Sequence, residues 1–149
     1  MTKKLVLLIY IKTLNNKKQK MKKTILMCLA VGLMLILAAF QPKPWAVPDK
    51  YLSMKNPANS DAESLKKGKD LYVTHCNSCH GKKGKGDGPK AAQLETECGN
   101  FTTAAFQKEP DGALFYKISE GRKDMPSFKK KIPDANDIWN VVNYVRTLK

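Results

Sequence analysis

Cys76-Asn77-Ser78-Cys79-His80 is the stretch on which the interpretation of the whole chain depends. It places two thiols three residues apart and an imidazole directly after the second thiol. In a Cys-x-x-Cys-His pattern each thiol can add to a haem vinyl group, and the histidine can bind the iron from one face. A zinc half-site, a redox-active dithiol or a chance match would use the same thiols without needing that histidine. The pattern favours covalent haem and leaves the alternatives open.

The positive charge of the chain is concentrated at its beginning. The net charge is +14 at pH 7, but residues 1–40 contain eight lysines and no acidic residue. The remaining residues carry 19 Lys+Arg against 13 Asp+Glu, a net charge of +6. This modest excess of positive charge does not predict a phosphate-binding surface, so nucleic acid is not an expected partner.

Residues 1–40 are predicted to be a basic leader that acts as a signal peptide or a membrane anchor. Five lysines between positions 17 and 23 precede an uncharged apolar run at residues 25–40. A retained apolar helix is slightly favoured, because the small-x-small pattern for cleavage is poor. Met21 offers a second candidate start. The lysines predict that the rest of the chain lies on the periplasmic side of a bacterial inner membrane, tethered or released by cleavage.

The rest of the chain is predicted to contain a linker and one folded domain. Residues 41–59 contain four prolines, which favour an extended spacer. Residues 60–149 are predicted to be all-α, because apolar residues recur at steps of three and four and no useful length alternates with period two. Helices are expected at residues 61–75, 90–97, 111–120 and from 133 onward, with Asp111 as a cap and Gly121 as a stop.

An iron bound by His80 would need a second ligand, and few residues qualify. His75, the other histidine, is adjacent to the attachment site, and four of the six methionines lie in the leader. Met54, in the linker, and Met125 remain. Met125 precedes Pro126 in a non-helical stretch, where extended backbone lets the soft thioether point inward. Met125 is therefore the favoured candidate.

Residues 60–149 resemble a class I c-type cytochrome of the small bacterial monohaem kind. The motifs that carry the resemblance are Cys76-Asn77-Ser78-Cys79-His80-Gly81, Gly86-Asp87-Gly88-Pro89, Met125-Pro126-Ser127-Phe128, and the stretch from Trp139 to Tyr144. The resemblance implies one haem c that is held by Cys76 and Cys79, with His80 and Met125 as axial ligands. It also implies that a backbone carbonyl near Pro89 orients His80, and that the first and last helices cross near the haem edge.

The implied ligand set predicts one-electron transfer in a respiratory chain. Two axial protein ligands leave no open position on the iron, so catalysis by the domain alone is not expected. A tethered or free carrier and a haem subunit of a larger membrane oxidoreductase remain as alternatives. Surface lysines are predicted either to ring the haem edge and steer an acidic redox partner or to serve only solubility. These lysines are Lys82, Lys83, Lys85, Lys123, Lys129, Lys130 and Lys131.

Cys98 keeps one alternative of another class open. Together with Cys76, Cys79 and a histidine it would complete a four-ligand zinc shell, in a zinc-binding or dithiol-redox module without haem. The other interpretation of Cys98 is a small core residue.

Overall fold

The computed structural model describes residues 3–39 and 44–149. Phe40, at the end of the predicted apolar run, and Pro42, in the predicted linker, lie outside the described residues. The chain divides into two compact units, Met1–Trp45 and Ala46–Lys149. The α-helices of the described ranges are α1 (Lys3–Ala39), α2 (Asp49–Leu52), α3 (Ala62–His75), α4 (Asn77–His80), α5 (Ala104–Gln107), α6 (Asp111–Glu120) and α7 (Ala135–Arg146).

The first unit is described as one helix, α1, which contains both the lysines and most of the apolar run of the predicted leader. Among the helices described at residues 3–39 and 44–149, none combines the length and the apolar character needed to cross a membrane. The interpretation of residues 1–40 as a signal or an anchor stays a prediction.

The second unit is helical, and the predicted all-α class is confirmed. Between residues 46 and 149 the β-type pairing consists of a single bridge between Arg122 and Met125. Helix α3 begins where predicted because Asp61 caps it, accepting a hydrogen bond from the Ser64 amide at 2.9 Å. Helix α7 is capped in the same way by Asp134, which accepts from the Asn136 amide at 2.9 Å.

The prediction that Asp111 caps α6 was wrong. Pro110 holds the capping position and makes no side-chain cap, whereas the Asp111 carboxylate accepts a hydrogen bond from Arg146 Nε at 2.8 Å. The same guanidinium donates to the Gln107 carbonyl at 3.0 Å. The charge-assisted hydrogen bond to Arg146, 35 residues away, occupies the carboxylate in place of a helix cap. Asp111 therefore links α6 to α7.

The prediction of a helix at residues 90–97 was also wrong. The regular structure in this stretch is a 3₁₀ turn at Ala91–Gln93. Backbone groups of this stretch bond to distant partners. The Lys90 amide donates to the Ser78 carbonyl at 2.8 Å, and the Thr96 amide donates to the Asp124 carboxylate at 2.8 Å. These tertiary bonds replace those that a helix would need.

Helices α3 and α7 cross in close contact, and their crossing organises the core. A Cβ at Gly68 would overlap the Asn140 carbonyl oxygen and lie 2.6 Å from its carbon, so the two backbones touch. Ser64 Oγ donates to Asn140 Oδ1 at 2.7 Å beside this contact. The apolar side of α7 predicted from the sequence faces the core, where Ile138, Val141, Val142 and Val145 are buried.

Residues 46–59, which we call the strap, pack on the domain. A Cβ at Gly112 of α6 would overlap the Tyr51 carbonyl oxygen and lie 2.8 Å from Met54 Cβ. At the other end, Asn56 Nδ2 donates to Asn143 Oδ1 of α7 at 2.7 Å. The packing therefore extends upstream of the predicted domain start at residue 60, into the stretch assigned to a linker.

Replacing Gly68 with alanine is expected to destabilise the domain by about 1–3 kcal/mol, the usual cost of overpacking. The loss should appear even though alanine favours a helix by about 1 kcal/mol over glycine. Urea unfolding monitored by circular dichroism measures the change. Gly99→Ala is the matched control, because a Cβ there meets no atom within 4 Å. Equal free energies of unfolding in both variants would contradict a close crossing.

Candidate functional site

Two short helical segments place the thiols and the imidazole within one turn. Cys76 is the capping residue between α3 and α4. Its carbonyl accepts hydrogen bonds from the amides of Cys79 at 3.1 Å and His80 at 2.9 Å. Because residues three and four apart are neighbours on a helix, the two cysteines share one face. Both thiols are free. They are therefore available for attachment of a cofactor.

The surroundings of Cys76 bear on the dithiol-redox and zinc alternatives. Burial, together with the Cys79 thiol, raises the pKa of Cys76 to about 12. A protonated thiol is a poor nucleophile in disulfide exchange. Within residues 3–39 and 44–149, no group of three or more His, Cys, Asp or Glu side chains is arranged to hold a metal ion. Cys98 and the motif thus do not form the four-ligand shell considered above.

Cys98 lies next to the motif but serves packing. It is half-buried, and burial followed by the Cys79 thiol raises its pKa. A Cβ at Gly86 would lie 3.0 Å from the Cys98 carbonyl carbon, so the two backbones are in contact. This placement agrees with a small residue that fills space beside the site.

His80 is mostly shielded from solvent, and its Nδ1 has no hydrogen-bond partner. Burial lowers the pKa of His80 to about 4, which keeps the imidazole neutral, the form that binds metals. The ring stacks on Phe101 with centroids 4.5 Å apart. A buried polar atom without a partner requires an explanation, and a metal-binding role for the ring supplies one. The donor set of this turn therefore fits a covalently held haem.

The glycine-rich loop folds back onto the carbonyl end of α4. The amide of Gly86 donates to the His80 carbonyl at 2.9 Å, and that of Gly88 donates to the Cys79 carbonyl at 3.1 Å. These bonds satisfy carbonyls that a helix end leaves free. A side chain at Gly88 would lie 2.5 Å from the Ser78 carbonyl oxygen, so only glycine allows this approach. Pro89 follows at once, but its carbonyl accepts no hydrogen bond from His80, and its role stays a prediction.

Tyr72 supports the same turn and was not predicted as a site residue. Its hydroxyl donates to the Gly81 carbonyl at 2.7 Å, and the side chain is 1% exposed. Burial raises the pKa of Tyr72, so it stays a hydrogen-bond donor. An aromatic residue one helical turn before Cys76 is the sequence signal that indicates this role.

Met125 lies in a short, well-bonded turn after α6. Its amide donates to the Arg122 carbonyl at 3.0 Å, and the Arg122 amide donates to the Met125 carbonyl at 2.8 Å. The side chain packs against the core cluster that contains Cys76. Met54, the other candidate, lies in the strap against Gly112 and is 36% exposed. The structure thus brings Met125, and not Met54, to the core that holds the motif.

The seven predicted lysines are exposed and follow the two loops of the site. Lys82, Lys83 and Lys85 belong to the glycine-rich loop, and Lys123 belongs to the turn of Met125. Lys129 Nζ lies 2.5 Å from Glu120 Oε1 and forms a salt bridge with it. Lys131 Nζ lies over the Phe128 ring, 5.6 Å from its centroid.

Comparison with known proteins identifies the family. Residues 63–145, more than half of the chain, match the family described as cytochrome C oxidase, cbb3-type, subunit III. The chain belongs to this family. The family confirms the predicted c-type cytochrome domain and its class of function, electron transfer through haem.

One curated relative shows how far the sequence similarity extends. The cbb3-type cytochrome c oxidase subunit CcoP of Azospirillum brasilense is 31% identical over 101 residues, which are 66% of this chain and 33% of the relative. The chain thus spans about a third of that protein's length.

Two solved structures cover the larger part of this chain. The Kuenenia stuttgartiensis reducing HAO-like protein complex Kustc0457/Kustc0458 matches 74% of this chain and 52% of its own at 25% identity, with a TM-score of 0.57. The KustC0563 c-type cytochrome matches 55% of this chain and 96% of its own at 31% identity, with a TM-score of 0.49.

Proposed function

We propose that this protein transfers single electrons through one haem c, as the haem subunit of a membrane oxidoreductase. The observation that carries the proposal is the buried, neutral imidazole of His80, whose Nδ1 has no partner, inside a turn with two free thiols. Family membership supports the choice of a subunit over a freely diffusing carrier. The printed sequence contains one Cys-x-x-Cys-His stretch, which is the basis for one haem.

Four residues would hold the cofactor. Cys76 and Cys79 would form the thioether bonds, and His80 and Met125 would bind the iron. Haem c supplies an iron that cycles between ferric and ferrous states. The thioether of Met125 favours the ferrous state relative to harder ligands. A backbone carbonyl near Pro89, beside α4, is proposed to orient His80.

The surrounding residues keep this site rigid and shielded. Tyr72 and the glycine-rich loop hold the backbone of α4 through hydrogen bonds to its carbonyls. The apolar core cluster that contains Cys76 shields this side of the site from solvent. With His80 and Met125 both holding the iron, the domain would pass electrons to a partner and catalyse no reaction alone.

The location of the domain is proposed from the leader and the family. We propose that α1 directs the domain to the periplasmic side of the inner membrane, where it remains near the other subunits. The exposed lysines of the two site loops are proposed to steer acidic surfaces of redox partners.

Protein produced in a bacterium that matures c-type cytochromes is expected to be red and to retain one haem per chain after denaturation. Covalent thioethers survive unfolding, so haem absorbance and intact mass measure the attachment. The double variant Cys76→Ser/Cys79→Ser should lose its haem. Cys98→Ser is the control and should retain it. A colourless protein that contains zinc would refute the proposal.

Replacing Met125 with alanine is expected to lower the reduction potential, because the thioether that favours ferrous iron is removed. Axial ligands set haem potentials over a range of about 0.8 V, so the shift should be readily measured by spectroscopic redox titration. Met54→Ala is the matched control and should leave the potential unchanged. If both variants titrate like the parent protein, Met125 is not the ligand.

Electron transfer to oxidase-containing membranes of the source bacterium should slow as salt is added. The Debye length falls from about 10 Å at 0.1 M to about 3 Å at 1 M, which screens the lysines from an acidic partner. Stopped-flow absorbance measures the rate. Lys82→Glu should reduce the rate at low salt, whereas Lys66→Glu, on an exposed position of α3, should not. A rate independent of salt would argue against steering.

A further inference from the structure

The strap contacts α6 through an aromatic cluster. The Tyr51 ring lies 4.7 Å from the Tyr116 ring and 6.4 Å from the Phe115 ring, and Phe115 in turn stacks on Trp139 at 4.3 Å. Trp139 is 4% exposed, so the cluster runs from the surface of the strap into the core. The strap precedes the family-matched residues 63–145, yet it covers one face of α6.

The opposite end of α6 carries the segment that contains Met125. The Phe128 amide donates to the Ile118 carbonyl at 3.2 Å, and Ser127 Oγ donates to the Ser119 carbonyl at 2.6 Å. A Cβ at Gly121 would lie 2.5 Å from the Met125 carbonyl oxygen, so the two backbones touch. The position of Met125 therefore follows the position of α6.

Helix α6 needs tertiary contacts to keep its place. It has ten residues and no side-chain cap, and helices of this length are marginal in isolation. Its N-terminal turn is in backbone contact with the strap at Gly112, and Asp111 bonds to Arg146. Loss of the strap contact removes a restraint at this end.

We propose that Tyr51 is a positioning residue for Met125, acting through α6. The proposal rests on the proposed function in one respect, since Met125 is taken as the axial ligand. The ring of Tyr51 holds α6 against the core, and α6 holds the Met125 segment by backbone bonds. A strap outside the family-matched region thereby sets how firmly the thioether is presented to the iron, and with it the reduction potential.

The test compares Tyr51→Ala, Tyr51→Phe and Leu52→Ala in the full-length haem-containing protein. Hydrogen exchange at the Met125 and Phe128 amides should quicken by roughly three- to tenfold in Tyr51→Ala, the factor that an aromatic contact is worth. Exchange at the Cys76 amide, which bonds to the Tyr72 carbonyl at 2.8 Å, should not change. The reduction potential of Tyr51→Ala should fall toward that of Met125→Ala.

The two other variants isolate the ring of Tyr51. Tyr51→Phe keeps the ring and should restore parental exchange and potential. Leu52→Ala removes a neighbouring strap side chain that is 45% exposed, and should behave like the parent protein. Tyr51→Leu replaces the alanine variant if the latter does not fold, because it keeps apolar volume without the ring contacts.

Two outcomes would overturn the proposal. Uniformly faster exchange across α3, α6 and α7 with an unchanged potential would assign Tyr51 a general structural role. Parental exchange at Met125 and Phe128 in Tyr51→Ala would remove the mechanical link itself. The exchange readout does not depend on which residue binds the iron, so a failure of Met125 as ligand is recognised separately, by an unchanged potential in Met125→Ala.

Discussion

The backbone contact between Gly68 of α3 and Asn140 of α7 is the constraint on which the domain depends. Protein interiors are close-packed, so the distance between these two helices determines how every neighbouring side chain fits. Helix α3 leads directly into the Cys76–His80 turn, and α7 supplies Trp139 and the buried valines of the core. The crossing therefore positions the site turn relative to the core that supports it.

Around this crossing, the site is held mainly by backbone hydrogen bonds. The glycine-rich loop and Tyr72 satisfy the carbonyls of the motif turn, and the Met125 turn is closed by its own reciprocal pair. Irregular loops can thus be as firmly placed as helices, because their polar groups have partners. This arrangement suits a site that must change charge by one electron without moving. The family match supplies the class of function, electron transfer through haem.

Several parts of this structure were predictable because their signals are local. The caps Asp61 and Asp134 define the starts of α3 and α7, and the spacing of two thiols and a histidine indicated haem. The predictions for Asp111 and for residues 90–97 failed for a shared reason. The Asp111 carboxylate binds Arg146, which is 35 residues away in the sequence. The Thr96 amide donates to Asp124, which is 28 residues away. Propensity carries no information about such partners.

Local sequence was sufficient for the helical class and for the class of cofactor, because each depends on residue type and short spacing. Three features emerged only in three dimensions: the packed position of the strap, the support from Tyr72, and the lack of a zinc shell around Cys98 among residues 3–39 and 44–149. Each of them depends on which side chains and carbonyls meet after the helices have packed. Prolines in residues 41–59 predicted an extended spacer, but they could not indicate that Tyr51 would contact an aromatic face of α6.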